Sequence, residues 1–205
     1  MNAASSVSVV DDDPLVLRAV GRLLQSVGLA VEMYSSAEEF LSRAGRGRPG
    51  CVVMDLSLPE LNGLELQQAL CNAADSRPVV FISGQGSVPA SVEAMKAGAV
   101  DFLVKPLNEG KFLSAVRAAL EKDRAARARE AGHASVLARL ATLTMREGQV
   151  LRHVIAGKLN KQIAAELGTA EKTIKVHRAR MMHKMAVGSV AELVRAWTLT
   201  QPLES

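Results

Sequence analysis

Through the first 121 residues, short apolar runs rich in β-branched side chains alternate with stretches of helical apolar spacing, the pattern of a parallel sheet covered by helices. The run 7–10 is followed from Pro14 by Val16, Leu17, Val20, Leu23, Leu24 and Val27 at helical spacing, with Gly28 as the stop. Asp13, directly before Pro14, has the chemistry of an N-cap. A second strand is expected near 29–33, and Ser36 with Glu39 forms a capping-box pattern that opens a second helix. The third strand ends at Asp55, the fourth covers 79–82 and the fifth 102–104, with helices near 63–73, 88–97 and 109–121. Five such βα units predict a doubly wound α/β domain with a five-stranded parallel sheet over residues 5–121.

Residues 122–142 are rich in Ala and Arg, and Leu137 and Leu140 provide only a thin apolar stripe, so a solvated helical linker is expected there. Beyond it the punctuation predicts four short helices. Thr144 with Glu147 opens the first, Gly157 ends it, Asn160 caps the next, Gly168 ends that, and Ser189 with Glu192 opens the last. A compact all-α helix-turn-helix domain over 143–201 fits this spacing.

Charge sharpens the division. Residues 1–121 carry 10 basic and 14 acidic side chains, and residues 122–205 carry 15 and 7, within a total of +4. Opposite signs in the two halves predict two domains, the second suited to a polyanion. Cys51 and Cys71 build no disulfide framework and form no CxxC pair, as expected in a reducing cytosol. The start has no basic stretch before a long apolar one, and no run approaches the ~18 apolar residues of a spanning helix, so neither export nor a membrane location is expected.

In open parallel sheets ligands bind outside the carboxyl ends of the strands. Asp11, Asp12, Asp55, Ser83 and Lys105 all fall at such ends. Carboxylates about 4 Å apart repel by about 4 kcal/mol per pair at an effective dielectric near 20. Mg²⁺, which takes oxygen ligands, or the Lys105 ammonium would offset this repulsion. A carboxylate so placed is a potential nucleophile toward phosphorus, with the cations and the Ser83 hydroxyl neutralising the transferring group. Singly, each residue has an ordinary explanation as a turn former or solvated charge; their joint placement on strands one, three, four and five favours chemistry. The Lys105–Pro106 bond is of the kind that takes either isomer, trans by default.

Four motifs in order, Val9–Asp13, Met54–Pro59 with Gly63, Ile82-Ser83-Gly84 and Ala97–Pro106, make residues 5–122 resemble the receiver domain of two-component response regulators, a flavodoxin-like fold. The resemblance implies Asp55 as phosphoacceptor and Asp11, Asp12, Asp55 and the Ser57 backbone carbonyl as Mg²⁺ ligands. It further implies Ser83 and Lys105 as phosphoryl contacts, Ser83 and Phe102 as switch residues, and a phosphohistidine on a partner sensor histidine kinase as donor. Ser83 stands where Thr is commoner, Gln85 follows Gly84, and Leu107 stands where many relatives have Phe.

In the basic half, Ile174, His177, Met181 and Met185 fall on one helical face and should pack inward, while Lys172, Lys175, Val176, Ala179 and His183 fall on another. Lysines beside small apolar side chains suit the major groove, where Lys meets guanine acceptors and Val or Ala a thymine methyl. Thr173 shares that stretch, and Arg178, Arg180 and Lys161 are better placed for phosphates. A basic amphipathic helix by itself is an equally good structural element; the preceding context, Leu143–Leu151, Gly157 and Asn160–Gly168, distinguishes the two. Together these residues resemble the LuxR-type helix-turn-helix of the FixJ/NarL class over 139–201. The resemblance implies 161–167 as scaffold helix, 171–185 as recognition helix in the major groove, and 190–198 as an aid to dimerisation. Relatives carry an aliphatic residue and Ser where this chain has Thr169-Ala170.

The expected protein is a cytoplasmic, phosphorylation-dependent transcription regulator that binds double-stranded DNA with two-fold-related half-sites, as a homodimer when phosphorylated. It would assist its own phosphoryl transfer without being a turnover enzyme. An Asp-dependent phosphohydrolase would need a second acid two residues after Asp55, where Ser57 stands. A phosphate-independent interaction module would not need the acid pair, Ser83 and Lys105.

Overall fold

The computed structural model describes residues 5–45, 47–84 and 88–200, and divides into two compact units between Arg127 and Ala128. Gln85 and Gln201 lie outside the described residues.

The first unit contains strands β1 (Ser6–Val10), β2 (Ala30–Tyr34), β3 (Gly50–Asp55), β4 (Val79–Ser83) and β5 (Asp101–Val104). They form one parallel sheet in the order β2-β1-β3-β4-β5. Helices α1 (Pro14–Ser26), α2 (Ala37–Arg43), α3 (Gly63–Asn72) and α4 (Val88–Lys96) connect successive strands. A further helix, α5 (Glu109–Ala141), follows β5. Every residue of β3 and β4 is buried, because alternate side chains enter two cores, one on each face of the sheet. Val9, Cys51, Val53, Val80 and Ile82 join Phe112 and Val116 of α5 on one face. Val10, Val52, Met54 and Phe81 join Phe40, Leu66 and Leu70 on the other.

Asp13 caps α1 by accepting from Leu15 N at 2.8 Å, and Gly28 closes that segment with φ +80°. Ser36 accepts from Glu39 N as expected, but the Glu39 carboxylate returns to Ser35 N, one residue earlier than a strict capping box. A larger departure is α5. Instead of ending near 121 before a separate linker, it runs unbroken to Ala141, as a stretch with no Pro and a single Gly permits. Its lower part is tied to the start of β3. Asp123 accepts from Gly50 N at 2.9 Å, and Arg127 binds Asp123 and donates to the carbonyls of Gly47 and Arg48.

The second unit contains the end of α5 and helices α6 (Met145–Ile155), α7 (Asn160–Glu166), α8 (Glu171–Met185) and α9 (Val190–Thr198). Its core joins Val136, Val150, Leu151, Val154, Ile163, Ile174, Met181, Met185 and Leu193. Thr144 and Glu147 form the expected capping box, and Gly157 and Gly168 end their helices with φ of +79° and +62°. Asn160 is not the cap of α7. That position is Leu159, whose N–H is bound by the Gln162 side chain at 2.8 Å, so the helix begins one residue earlier than expected. Among the described residues no helix is long and apolar enough to cross a membrane.

Candidate functional site

Strand register assembles the acidic site. Val10 lies opposite Met54, so the next residues, Asp11 and Asp55, emerge side by side at the carboxyl edge. Asp55 lies opposite Ile82 and Ser83 opposite Val104, which brings Ser83 and then Lys105 to the same edge. The Lys105 backbone donates to Ser83 O at 2.8 Å. This edge also contains the change of direction in strand order between β1 and β3, where open α/β sheets bind ligands. Gly63 lets the chain return across it. A Cβ there would fall 2.6 Å from Asp55 O and 2.9 Å from the Phe81 ring.

The Lys105 ammonium, 2.7 Å from Asp11 Oδ2 and 3.1 Å from Asp55 Oδ1, is shared by both carboxylates. Asp11 is fully buried, and its Oδ1 accepts from Asp13 N. Asp55 Oδ2 accepts from Ser57 N at 3.1 Å. Asp55 Oδ1 is different: it is buried and forms an ion pair with Lys105 but no hydrogen bond. Burial holds the Asp11 carboxyl above the ordinary carboxylate range, although Lys105 and Asp13 N pull it down. Burial would lower Lys105, but its two carboxylate neighbours outweigh this and raise it. Two anions with one cation leave a site of net negative charge, in which the buried Asp55 Oδ1 faces the shared Lys105 ammonium.

Of the predicted site residues, Asp11, Asp55, Ser83 and Lys105 therefore meet, with Ser83 fully buried. Asp12 stands exposed beside them, as does Ser57. Among the described residues no three His, Cys, Asp or Glu side chains converge as a metal site. Hard oxygen donors at Asp11 and Asp55, and the Asp55 oxygen without a hydrogen bond, nevertheless suit a hard cation. Phe102 is half-buried, its ring 6.5 Å from that of Phe81. The Lys105–Pro106 bond is cis.

The second candidate site is the outer surface of α8. Lys172, Thr173, Lys175, Val176, Ala179, Arg180 and His183 are exposed, while Ile174, Met181 and Met185 are buried. His177 is half-buried, so the inward face narrows to three residues. Lys161 on α7 is exposed. Arg178 is half-buried and donates to Asn160 Oδ1 at 3.0 Å. The first turn of α8 has Ala170 as its N-cap, with no side-chain bond, which is the structural counterpart of the Thr169-Ala170 departure.

Two features have no local signal in the sequence. Glu147, recognisable as a capping residue, is also buried and accepts from Lys184 Nζ at 2.7 Å. The Asn160–Arg178 contact joins residues 18 apart on different helices. Only helical-face assignment on both partner helices at once would have brought either pair together.

Family models match both units: a response regulator receiver domain at residues 7–117, and the luxR family of bacterial regulatory proteins at 141–197. The response regulator protein TodT of Pseudomonas putida is 44% identical over 192 residues, covering 94% of this chain and 85% of that protein. The transcriptional regulatory protein FixJ of Rhizobium meliloti is 43% identical over 93% of each chain. A solved structure of the response regulator StyR aligns with a TM-score of 0.86 and 41% identity, covering 96% of this chain and 99% of that one.

Proposed function

The chain belongs to the response regulators that join a receiver domain to a LuxR-type DNA-binding domain, and we propose that it is a transcription regulator switched by phosphorylation of Asp55. The carrying observation is the buried Asp55 oxygen without a hydrogen bond, at the strand edge beside Lys105. That oxygen attacks phosphorus of a phosphohistidine on a sensor histidine kinase. A P–O bond forms as the P–N bond breaks, and the electron pair returns to the imidazole nitrogen.

Lys105 neutralises an oxygen of the incoming phosphoryl group, and the Ser83 hydroxyl donates to another. Asp11, Asp12, Asp55 and the Ser57 carbonyl would hold Mg²⁺, which when bound supplies further positive charge against the phosphoryl oxygens. Movement of Ser83 toward the phosphoryl group couples to Phe102, on the neighbouring strand β5 two residues before the carboxyl edge, as the switch. With no second acid at Ser57 to speed turnover, the phosphorylated state persists as a signal.

The output is DNA binding by α8 in the major groove. Lys172, Thr173, Lys175, Val176, Ala179 and His183 face base edges, and Lys161, Arg178 and Arg180 face phosphates. The phosphorylated protein acts in the cytoplasm as a homodimer, aided by α9, on half-sites related by two-fold symmetry.

The test compares DNA binding by the full chain with and without a small phosphodonor, in the wild type and in Asp55→Asn. The wild type should tighten its binding on phosphodonor addition and the variant should not respond. An equal response in both would exclude the mechanism.

A further inference from the structure

Resting on the DNA-binding reading above, we infer that Asn160 is a positioning residue that presents the Arg178 guanidinium to a DNA phosphate with its charge uncompensated. Asn160 has the residue type of a helix cap, yet the cap position belongs to Leu159 and the Gln162 side chain satisfies the Leu159 N–H. The amide of Asn160 is thereby released from capping. Its Oδ1 instead accepts from Arg178 Nη1 at 3.0 Å, across the gap between α7 and α8.

The choice of acceptor matters. Three lysines of this unit are held by carboxylates: Lys175 by Glu171, Lys158 by Glu166 and Lys184 by Glu147, whereas Arg139 and Arg146, like Arg178, donate to neutral oxygens, of Met185 and Gln149. Each such pairing with a carboxylate offsets part of the charge that would attract a phosphate. Among the described residues no carboxylate lies within ion-pair distance of Arg178, whose recorded partner is a neutral amide. A guanidinium carries five N–H donors. One bond to Asn160 restrains its plane and leaves the rest, with the full positive charge, available to the fork geometry that phosphate oxygens accept.

Arg178 is half-buried between the two helices, so the rotamer restriction a phosphate contact requires is already imposed in the unbound protein. Asn160 thus acts through Arg178 rather than on DNA itself.

The acceptor's charge makes a structural brace and a positioning role separable. Binding is measured by fluorescence anisotropy of the full chain with a labelled duplex of mixed sequence, across a salt series, beside thermal melts. Arg178→Ala should reduce the salt slope by about 0.9, the value of one phosphate contact. Asn160→Ala should weaken binding by roughly fivefold, the size of one ordinary hydrogen bond, and the double variant should be no weaker than Arg178→Ala alone. Asn160→Asp is the decisive variant. It keeps an acceptor and should keep the wild-type Tm, yet it should bind more weakly than Asn160→Ala because the carboxylate neutralises Arg178.

Wild-type binding by Asn160→Asp, with weak binding by Asn160→Ala, would overturn the inference in favour of a simple brace. Additive losses in the double variant would overturn it as well. If Arg178→Ala, Lys172→Ala and Lys175→Ala all bind the duplex as the wild type does, the DNA-binding reading fails, and the inference with it.

Discussion

Each half of the chain buries a small group of charges, and the two groups are balanced differently. At the receiver's strand edge, Asp11 and Asp55 share the single ammonium of Lys105. In the DNA-binding domain, Glu147 faces Lys184 one to one, and its carboxylate also accepts from Thr144 N. The receiver is capable of the balanced arrangement too. Near the opposite end of β4, Asp75 and Arg77 form a buried bidentate pair, and the guanidinium stacks over the Phe40 ring at 5.2 Å. The surplus of negative charge is therefore local to the strand edge, where the chain has not spent a second cation. A balanced buried pair fixes structure, whereas an unbalanced one stores a preference for an incoming positive or charge-neutralising ligand.

The largest test of this contrast is Glu147→Ala. Removing the carboxylate leaves Lys184 and the Thr144 N–H without their buried acceptor, and should destabilise the DNA-binding domain by about 3 kcal/mol. The chain has one Trp and one Tyr, which makes the effect separable. Trp197 packs against the DNA-binding core and Tyr34 is buried in the receiver. Urea unfolding followed by Trp197 fluorescence should shift to lower denaturant while the Tyr34 signal stays in place. A shift in both signals would mean that the two units do not unfold independently.

Acid should sharpen the same contrast with a smaller effect. Hydrogen bonds from Lys184 and the Thr144 N–H hold Glu147 down to about 2, below its ordinary 4.5. A depressed folded-state value contributes stability above the ordinary value, and this is lost as pH falls toward the folded one. Burial raises Asp11 instead, so its sign is opposite: protonation relieves the folded receiver. Between about pH 6 and about pH 3, the stability gap between wild type and Glu147→Gln should shrink steadily when read by Trp197 fluorescence. A gap that stays constant over this range would show that Glu147 has an ordinary pKa.

The sheet and its acid edge were legible in the sequence because strand periodicity and strand ends are local signals. Apolar runs ending in Asp11 and Asp55, with Ser83 and Lys105 at two further ends, needed only the parallel register to become neighbours. The same locality allowed Asp13 to be separated from Asp11, since a residue before Pro14 is set by the first turn of α1. Asn160 misled because a cap inferred from residue type ignores a competitor, and Gln162 supplied the bond to Leu159. The continuity of α5 was hidden because its apolar stripe thins after 121, while the chain has no Pro there and passes through its one glycine, Gly132, without stopping. The Asp123–Gly50, Glu147–Lys184 and Asn160–Arg178 contacts could not be anticipated, since each joins residues far apart whose faces become adjacent only in the folded unit.

The smallest predicted effect bears most directly on the contrast. Asp55→Asn silences the proposed phosphoryl transfer, and loss of an essential residue is commonly taken to cost stability. The opposite follows from the charge count. With Asp55 neutral, Lys105 keeps its 2.7 Å bond to Asp11, and the strand edge becomes a one-to-one pair like Glu147 with Lys184. The substitution gives up the 3.1 Å ion pair with Lys105 but relieves both the repulsion from Asp11 and the cost of burying a second carboxylate, for a net gain of about 1 kcal/mol. In chelator-containing buffer the receiver transition, followed by Tyr34, should move to higher denaturant by that amount. Added Mg²⁺ should then stabilise the wild type more than the variant and narrow the gap, because the cation offsets the repulsion that the variant lacks. If Asp55→Asn lowers receiver stability in chelator, the two carboxylates are already balanced within the protein, and the distinction between a poised edge and a fixed pair fails.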